Sequence, residues 1–282
     1  MDLRHFTLQA RGLSFDAIAA GPENGPLLLC LHGFPQFADA WSGVMLRLAQ
    51  AGWRVVAVDQ RGYSPGARPA GVASYRIELL VQDVLAWADA LGAQRFHLAG
   101  HDWGGMVGWA LAAAHPERLL TLCVLSMPHP DAFQDALRHD ADQRRRSIYM
   151  LLFRLRLPLA EWLLLARDAR VLRRAYQGRV PAEQVQRNVE RLRVSGALSA
   201  ALNWYRAIQP RRRVGPVGVP TLFIWGSADQ ALGATAAHAT GRQVAGPYRL
   251  EVLPGASHWL LEEHPDTVAR TMLQHLVTAA RG

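Results

Sequence analysis

The chain contains no lysine: all 31 of its basic residues are arginine. It has two cysteines, Cys30 and Cys123, each inside an apolar run (LLLCLHG and LLTLCVL), which excludes a disulfide scaffold and a cysteine-based zinc site and reads as two buried free thiols. No apolar run approaches the ~20 residues needed to span a bilayer, and MDLRHFTLQARGL lacks the basic-then-apolar pattern of a secretory leader, so a cytoplasmic location is expected. Charged residues are only 19% of the chain, against 50% apolar residues and nine Trp, which excludes disorder and low complexity. At 282 residues, one α/β domain with an insertion, or two modest domains, is the natural size class.

Charge is unevenly spread. Eighteen of the arginines lie between Arg138 and Arg213 against six acids, a net +12, while the whole chain carries +8. Such asymmetry can mark nucleic-acid or anionic-membrane binding. No interleaved aromatic pattern or nucleic-acid module accompanies it, so a solvated basic face is expected, with no nucleic-acid partner and no stable membrane association.

Short apolar runs alternate with helical patterns in the first half, the pattern of a parallel sheet wrapped by helices. Strands are expected at residues 26–33, 54–62, 95–100 and 119–128, and again at 221–229 and 248–258. Between His129 and Pro210 no convincing strand occurs, only arginine-rich sequence with apolar positions at three- and four-residue spacing. This predicts a core in two parts, 1–128 and 213–282, split by a helical insert over 129–212.

The chemistry is concentrated where strands end. Gly100-His101-Asp102-Trp103-Gly104 fits the nucleophile-elbow template with Asp at the nucleophile position, between an expected strand and helix. Glycine two before and two after the nucleophile avoids a collision across the sharp turn. An Asp preceding a helix is also an ordinary N-cap, so its partners decide. In this template the acid and the histidine follow in chain order; Asp229 ends the strand TLFIWGSAD and His258 lies in the loop GASHW after the next strand. Most of the eleven histidines have ordinary explanations, His115 and His264 each standing before a proline. The loop His32-Gly33-Phe34-Pro35 follows the strand PLLLCL, where an elbow enzyme draws one oxyanion donor: the N–H of Phe34, with that of Trp103 as the other. His32, Pro35 and Trp103 are also candidates for contacting substrate.

HGFP, DQRGYSPGARP, GHDWGG, the acid of WGSAD and the histidine of GASHW resemble, in order and spacing, the α/β-hydrolase superfamily and within it the epoxide hydrolases with an aspartate nucleophile. The resemblance implies an α/β-hydrolase fold, a mostly parallel central sheet flanked by helices, with an inserted all-helical cap. It further implies two cap tyrosines that polarise an epoxide oxygen. ALNWYRAI matches the second tyrosine segment, giving Tyr205; RSIYMLLFRLRLP matches the first less closely, with Ile148 before Tyr149, and Tyr176 is the other tyrosine of the insert. The implied reaction joins Asp102 to the substrate as an alkyl ester, which water activated by His258 then hydrolyses, with no metal or organic cofactor. Substrate and water are the expected partners, and the chain is expected as a monomer or homodimer. Haloalkane dehalogenases share the Asp-His-Asp set and are the alternative, although they usually carry Asn where this chain has Phe34. A non-catalytic sensor on the same fold is a further alternative, against which the intact triad argues.

Overall fold

The computed structural model describes residues 2–156, 158–209 and 212–279; Pro210, the expected end of the strandless stretch, lies outside them. Eight strands form one sheet: β1 (Arg4–Ala10), β2 (Leu13–Ala20), β3 (Leu27–Leu31), β4 (Arg54–Val58), β5 (Phe96–His101), β6 (Leu119–Leu125), β7 (Thr221–Gly226) and β8 (Tyr248–Leu253). Their order across the sheet is β1-β2-β4-β3-β5-β6-β7-β8. From β4 to β8 all pairings are parallel, and β1 and β2 form an antiparallel edge.

The central strands are apolar throughout because both faces are covered. Leu27, Leu29 and Leu31 of β3 enter one core cluster while Leu28 and Cys30 enter another, the two-residue period of a strand. One face carries α1 (Ser42–Gln50) and the C-terminal helix, through Val44, Met45, Leu48, Val268 and Met272. The other carries α2 (Ile77–Ala90) and α3 (Trp103–Ala114), through Leu80, Val84, Trp87, Val107 and Leu111. Both cysteines are buried free thiols, as expected.

Between β6 and β7 the described chain is helical: α4 (Pro130–His139), α5 (Ala141–Arg146), α6 (Tyr149–Phe153), α7 (Leu159–Ala175), α8 (Ala182–Arg193) and α9 (Ala197–Arg206). After β7 come α10 (Ala234–Ala239), α11 (Leu260–Glu263) and α12 (Pro265–Ala279). The insert has no separate core. Phe153, Leu164, Leu172, Val189 and Leu202 belong to the same cluster as Leu29 and Val56 of the sheet.

Two features differ from the sequence reading. The hairpin β1–β2 is not among the expected elements; its two-residue loop is Arg11-Gly12, both at positive φ, and lacks the Asn-Gly or Asp-Gly signal of such turns. The insert's arginines are also not all solvated. Arg191 pairs with the buried Asp59 and lies over the Phe37 ring, while Arg179 and Arg187 reach Glu263 and Asp39 of the core. Part of the +12 segment thus docks onto the acidic remainder of the chain.

Candidate active site

Asp102 follows β5 with φ 51° and ψ −118°, a sharp turn that presents its side chain above the sheet end. A Cβ at Gly100 would strike the Gly104 carbonyl, and one at Gly104 would strike the backbone of Leu31, so the turn closes only with glycine at both places. Although Asp102 occupies the N-cap position of α3, its side chain makes no capping bond. Its Oδ1 instead accepts the backbone N–H of Phe34 at 2.9 Å. The N–H of Trp103, the next residue in the chain, helps hold the same carboxylate below its usual range. Gly33 is required beside it, because a Cβ there would collide with the Asp102 side chain.

The other oxygen, Oδ2, faces Nε2 of His258 at 3.6 Å. On the far side of that ring, Nδ1 donates to Oδ2 of Asp229 at 2.8 Å, and the second Asp229 oxygen accepts the N–H groups of Ala231 and Leu232. Those backbone bonds fix the carboxylate, which in turn fixes the orientation of the His258 ring with Nε2 toward Asp102. Burial disfavours the imidazolium, but the charges and hydrogen bonds of Asp229 and Asp102 outweigh it and carry His258 up to about 10. Burial likewise opposes the Asp102 carboxylate, and the neighbouring His258 more than compensates, so Asp102 stays below the usual carboxylate range. The resting site is therefore an imidazolium held between two carboxylates.

Two positioning groups carry no sequence expectation. His101 Nε2 and Ser126 Oγ both donate to the His258 carbonyl oxygen, at 2.9 and 3.0 Å. Burial first, then the His258 charge, lowers His101 to about 4, so it is a neutral ring donating through Nε2. The GHDWGG string contains His101, but only the folded chain shows where its ring points.

Over Asp102 lies a mostly apolar cavity of about 290 Å³, lined by Asp102, Trp103, Tyr149 and Tyr205 together with Met106, Phe133, Met150 and Trp204 among others. Tyr205, from α9, packs edge-on against Trp103 (5.0 Å between ring centroids) and Phe34 (5.6 Å); Tyr149, from α6, is 6.4 Å from Tyr205. Burial, with the Asp102 charge added, raises both phenols above their ordinary value. Tyr176 stands elsewhere: its hydroxyl donates to the Pro35 carbonyl and accepts from Asn188, and its ring packs on Trp259. Of the three tyrosines, only Tyr149 and Tyr205 reach the cavity.

Two expected substrate contacts need correction. Neither His32 nor Pro35 is among the described residues lining the cavity. The His32 ring is 1% exposed, with Nδ1 on the Gly33 carbonyl and Nε2 accepting the Gln60 N–H, so it clips the β3 and β4 loops together. Pro35 is committed to Tyr176. Both flank Gly33-Phe34 in the loop after β3 with their side chains away from the cavity, and of the three expected contacts Trp103 lines it.

Known proteins match this arrangement closely. The family model of the alpha/beta hydrolase fold matches residues 26–265. The chain is 36% identical to epoxide hydrolase 4 of Mus musculus over 91% of its own length and 74% of that protein. It is 34% identical to an AB hydrolase superfamily protein of Bacillus subtilis, over 95% and 96% of the two chains. Among solved structures, a point mutant of an epoxide hydrolase from Bacillus megaterium, complexed with its product (R)-3-[1]naphthyloxy-propane-1,2-diol, superposes with TM-score 0.87 at 27% identity, over 96% of this chain and 100% of that one. With the elbow, its partners and the helical insert all in place, the chain belongs to the α/β-hydrolase fold family and, within it, to the epoxide hydrolases.

Proposed function

We propose that the protein hydrolyses an epoxide to a vicinal diol through a covalent ester on Asp102, with residues 129–212 acting as the cap over the site. The observation that carries this reading is the placement of the oxyanion donors. The N–H of Phe34 donates to the carboxylate of Asp102 itself, and that of Trp103 favours the same ionised carboxylate. Donors aimed there stabilise negative charge on an oxygen of the nucleophile, which is where charge develops when an aspartyl ester is attacked by water.

Oδ2 of Asp102, the oxygen that faces His258, attacks an epoxide carbon, while the phenols of Tyr149 and Tyr205 donate to the departing ring oxygen. One phenol proton passes to the alkoxide. The Asp102 charge disappears as the ester forms, which removes one of the two carboxylates that keep His258 protonated. His258 then gives its ring proton to the phenolate by way of solvent and, still oriented by Asp229, takes a proton from water as that water attacks Cγ, and the resulting oxyanion at Oδ1 lies in the hole. Collapse breaks the Cγ–Oδ2 bond as His258 protonates the departing oxygen, the diol leaves, and the Asp102 carboxylic acid returns its proton to His258. The mostly apolar cavity walls and the diol held by the Bacillus megaterium relative agree with an apolar or aryl epoxide.

The test is interception of the ester. His258→Ala mixed with styrene oxide should accumulate a protein adduct equal in mass to the epoxide, with peptide mapping placing it on Asp102. Wild-type turnover without any adduct in the variant, or an adduct at another residue, rejects the mechanism.

A further inference from the structure

Two helices of the insert expose side chains that a folded domain ordinarily buries. Ile148 and Leu151 are each 67% exposed and Trp162 66%, and Leu155 and Leu159 are exposed between them. Ile148, Leu151 and Leu155 recur at three and four residues, on one face of α6 and its flanks, and Leu159 and Trp162 recur at three on the first part of α7, which breaks at Ala166–Ala169 where φ turns positive from Arg167. The inward-facing positions of the same helices are also apolar: Phe153, Ala160 and Leu164 are buried. Single exposed leucines are ordinary, but five large apolar side chains within residues 148–162 form a patch that calls for an occupant.

The surrounding charge has one sign. Among the described residues no carboxylate pairs with Arg154, Arg156, Arg167, Arg170 or Arg174, whereas the nearby acids are taken: Glu161 by Arg206, and Asp168 by Arg173 and Arg193. Several of the insert's other arginines reach back to the core, and Arg144 of α5 also meets no carboxylate among the described residues, so most of the uncompensated ones lie on α6, α7 and the turn between them.

We propose that α6 and α7 form a docking face for a bilayer containing anionic lipid. The aliphatic side chains and Trp162 enter the headgroup level and the arginines meet lipid phosphates, the arrangement of an interfacial helix. A second copy of this chain fits poorly, because a two-fold interface would set the same arginines against one another. The face also adjoins the cavity, since Met150 and Arg154 of the α6 segment line it. This replaces the solvated basic face expected from the sequence, which shows the arginines but not which apolar residues between them stay uncovered.

The test is co-sedimentation of the full chain with vesicles of phosphatidylcholine, with and without phosphatidylglycerol, at physiological salt. Wild type should sediment with the anionic vesicles. The double variant Leu151→Gln/Trp162→Gln should bind at least ~10-fold more weakly, and Arg156→Gln and Arg170→Gln about fivefold more weakly each, with thermal unfolding unchanged. The substituted side chains are exposed, so a folded protein is expected in each case. Equal binding to vesicles of phosphatidylcholine alone, no vesicle binding, or full binding by the double variant overturns the proposal. A wild-type dimer that the double variant dissociates, without vesicle binding, overturns it too and assigns the face to a second copy.

Discussion

Asp229 and His258, in the core, are fixed by directed hydrogen bonds: two backbone N–H groups on one Asp229 oxygen, the imidazole on the other, and two donors on the His258 carbonyl. Tyr149 and Tyr205, in the insert, come from two helices and are set by ring packing against each other, Phe153, Phe34 and Trp103. Ring packing tolerates displacement by a few tenths of an ångström, while a triad does not. On the proposed mechanism the core supplies the nucleophile and the ester turnover, and the insert supplies the proton donors for ring opening.

The largest expected effect tests the core half. Asp102→Ala should reduce diol formation by at least ~10⁴-fold, the scale seen when one member of a cooperating triad is removed. Substantial residual activity would mean that the insert alone opens the ring.

The insert half is tested next. Tyr205→Phe should slow ring opening by at least ~10-fold, the low side for one positioned acid, and Tyr149→Phe should compound the loss. An epoxide oxygen leaves as a basic alkoxide that needs the proton, whereas a halide does not. Efficient bromide release from haloalkanes that survives Tyr205→Phe and is lost in Trp103→Phe would move the decisive group from the insert to the core.

The third prediction concerns coupling within the core. His258 is raised to about 10, so it is protonated below that pH, and a base must be neutral. Replacing the Asp102 charge, as the ester does, should lower it. In Asp102→Asn, ring-nitrogen NMR should find the His258 titration about one to three pH units lower than in wild type. The acid limb of kcat should follow that lower value, while the phenols, raised above their ordinary value, stay protonated into the alkaline range. An unchanged His258 titration would show that Asp229 alone sets it.

The smallest effect probes the seam between the two regions. Arg146 of α5 donates to the Asp229 carbonyl and pairs with Asp142. Being partly exposed, it should contribute about 1 kcal/mol, read as a lower urea midpoint in Arg146→Gln. A loss several times larger would mean that the insert holds the acid loop in place rather than resting on it.

The strings around Asp102 and Asp229 were legible because each follows a fully buried apolar strand, and because a sharp strand-to-helix turn admits only glycine at Gly100 and Gly104; His258 was legible from its place in the loop after the next strand. The insert was legible as a break in the alternation of strand and helix. The hairpin β1–β2 was not, since its outer strand is largely exposed and its Arg11-Gly12 loop carries a weak turn signal.

By itself the sequence determined the order of the triad, the parallel core and the presence of a helical insert, because these rest on local backbone constraint and on periodic burial along single elements. Only the tertiary structure decided that Tyr149 rather than Tyr176 lines the cavity with Asp102, that His32 clips loops outside the cavity lining, and which arginines dock on the core. Each of these depends on how helices far apart in the chain pack on one sheet, and a side chain's partner across that packing leaves no mark in its own neighbourhood of sequence.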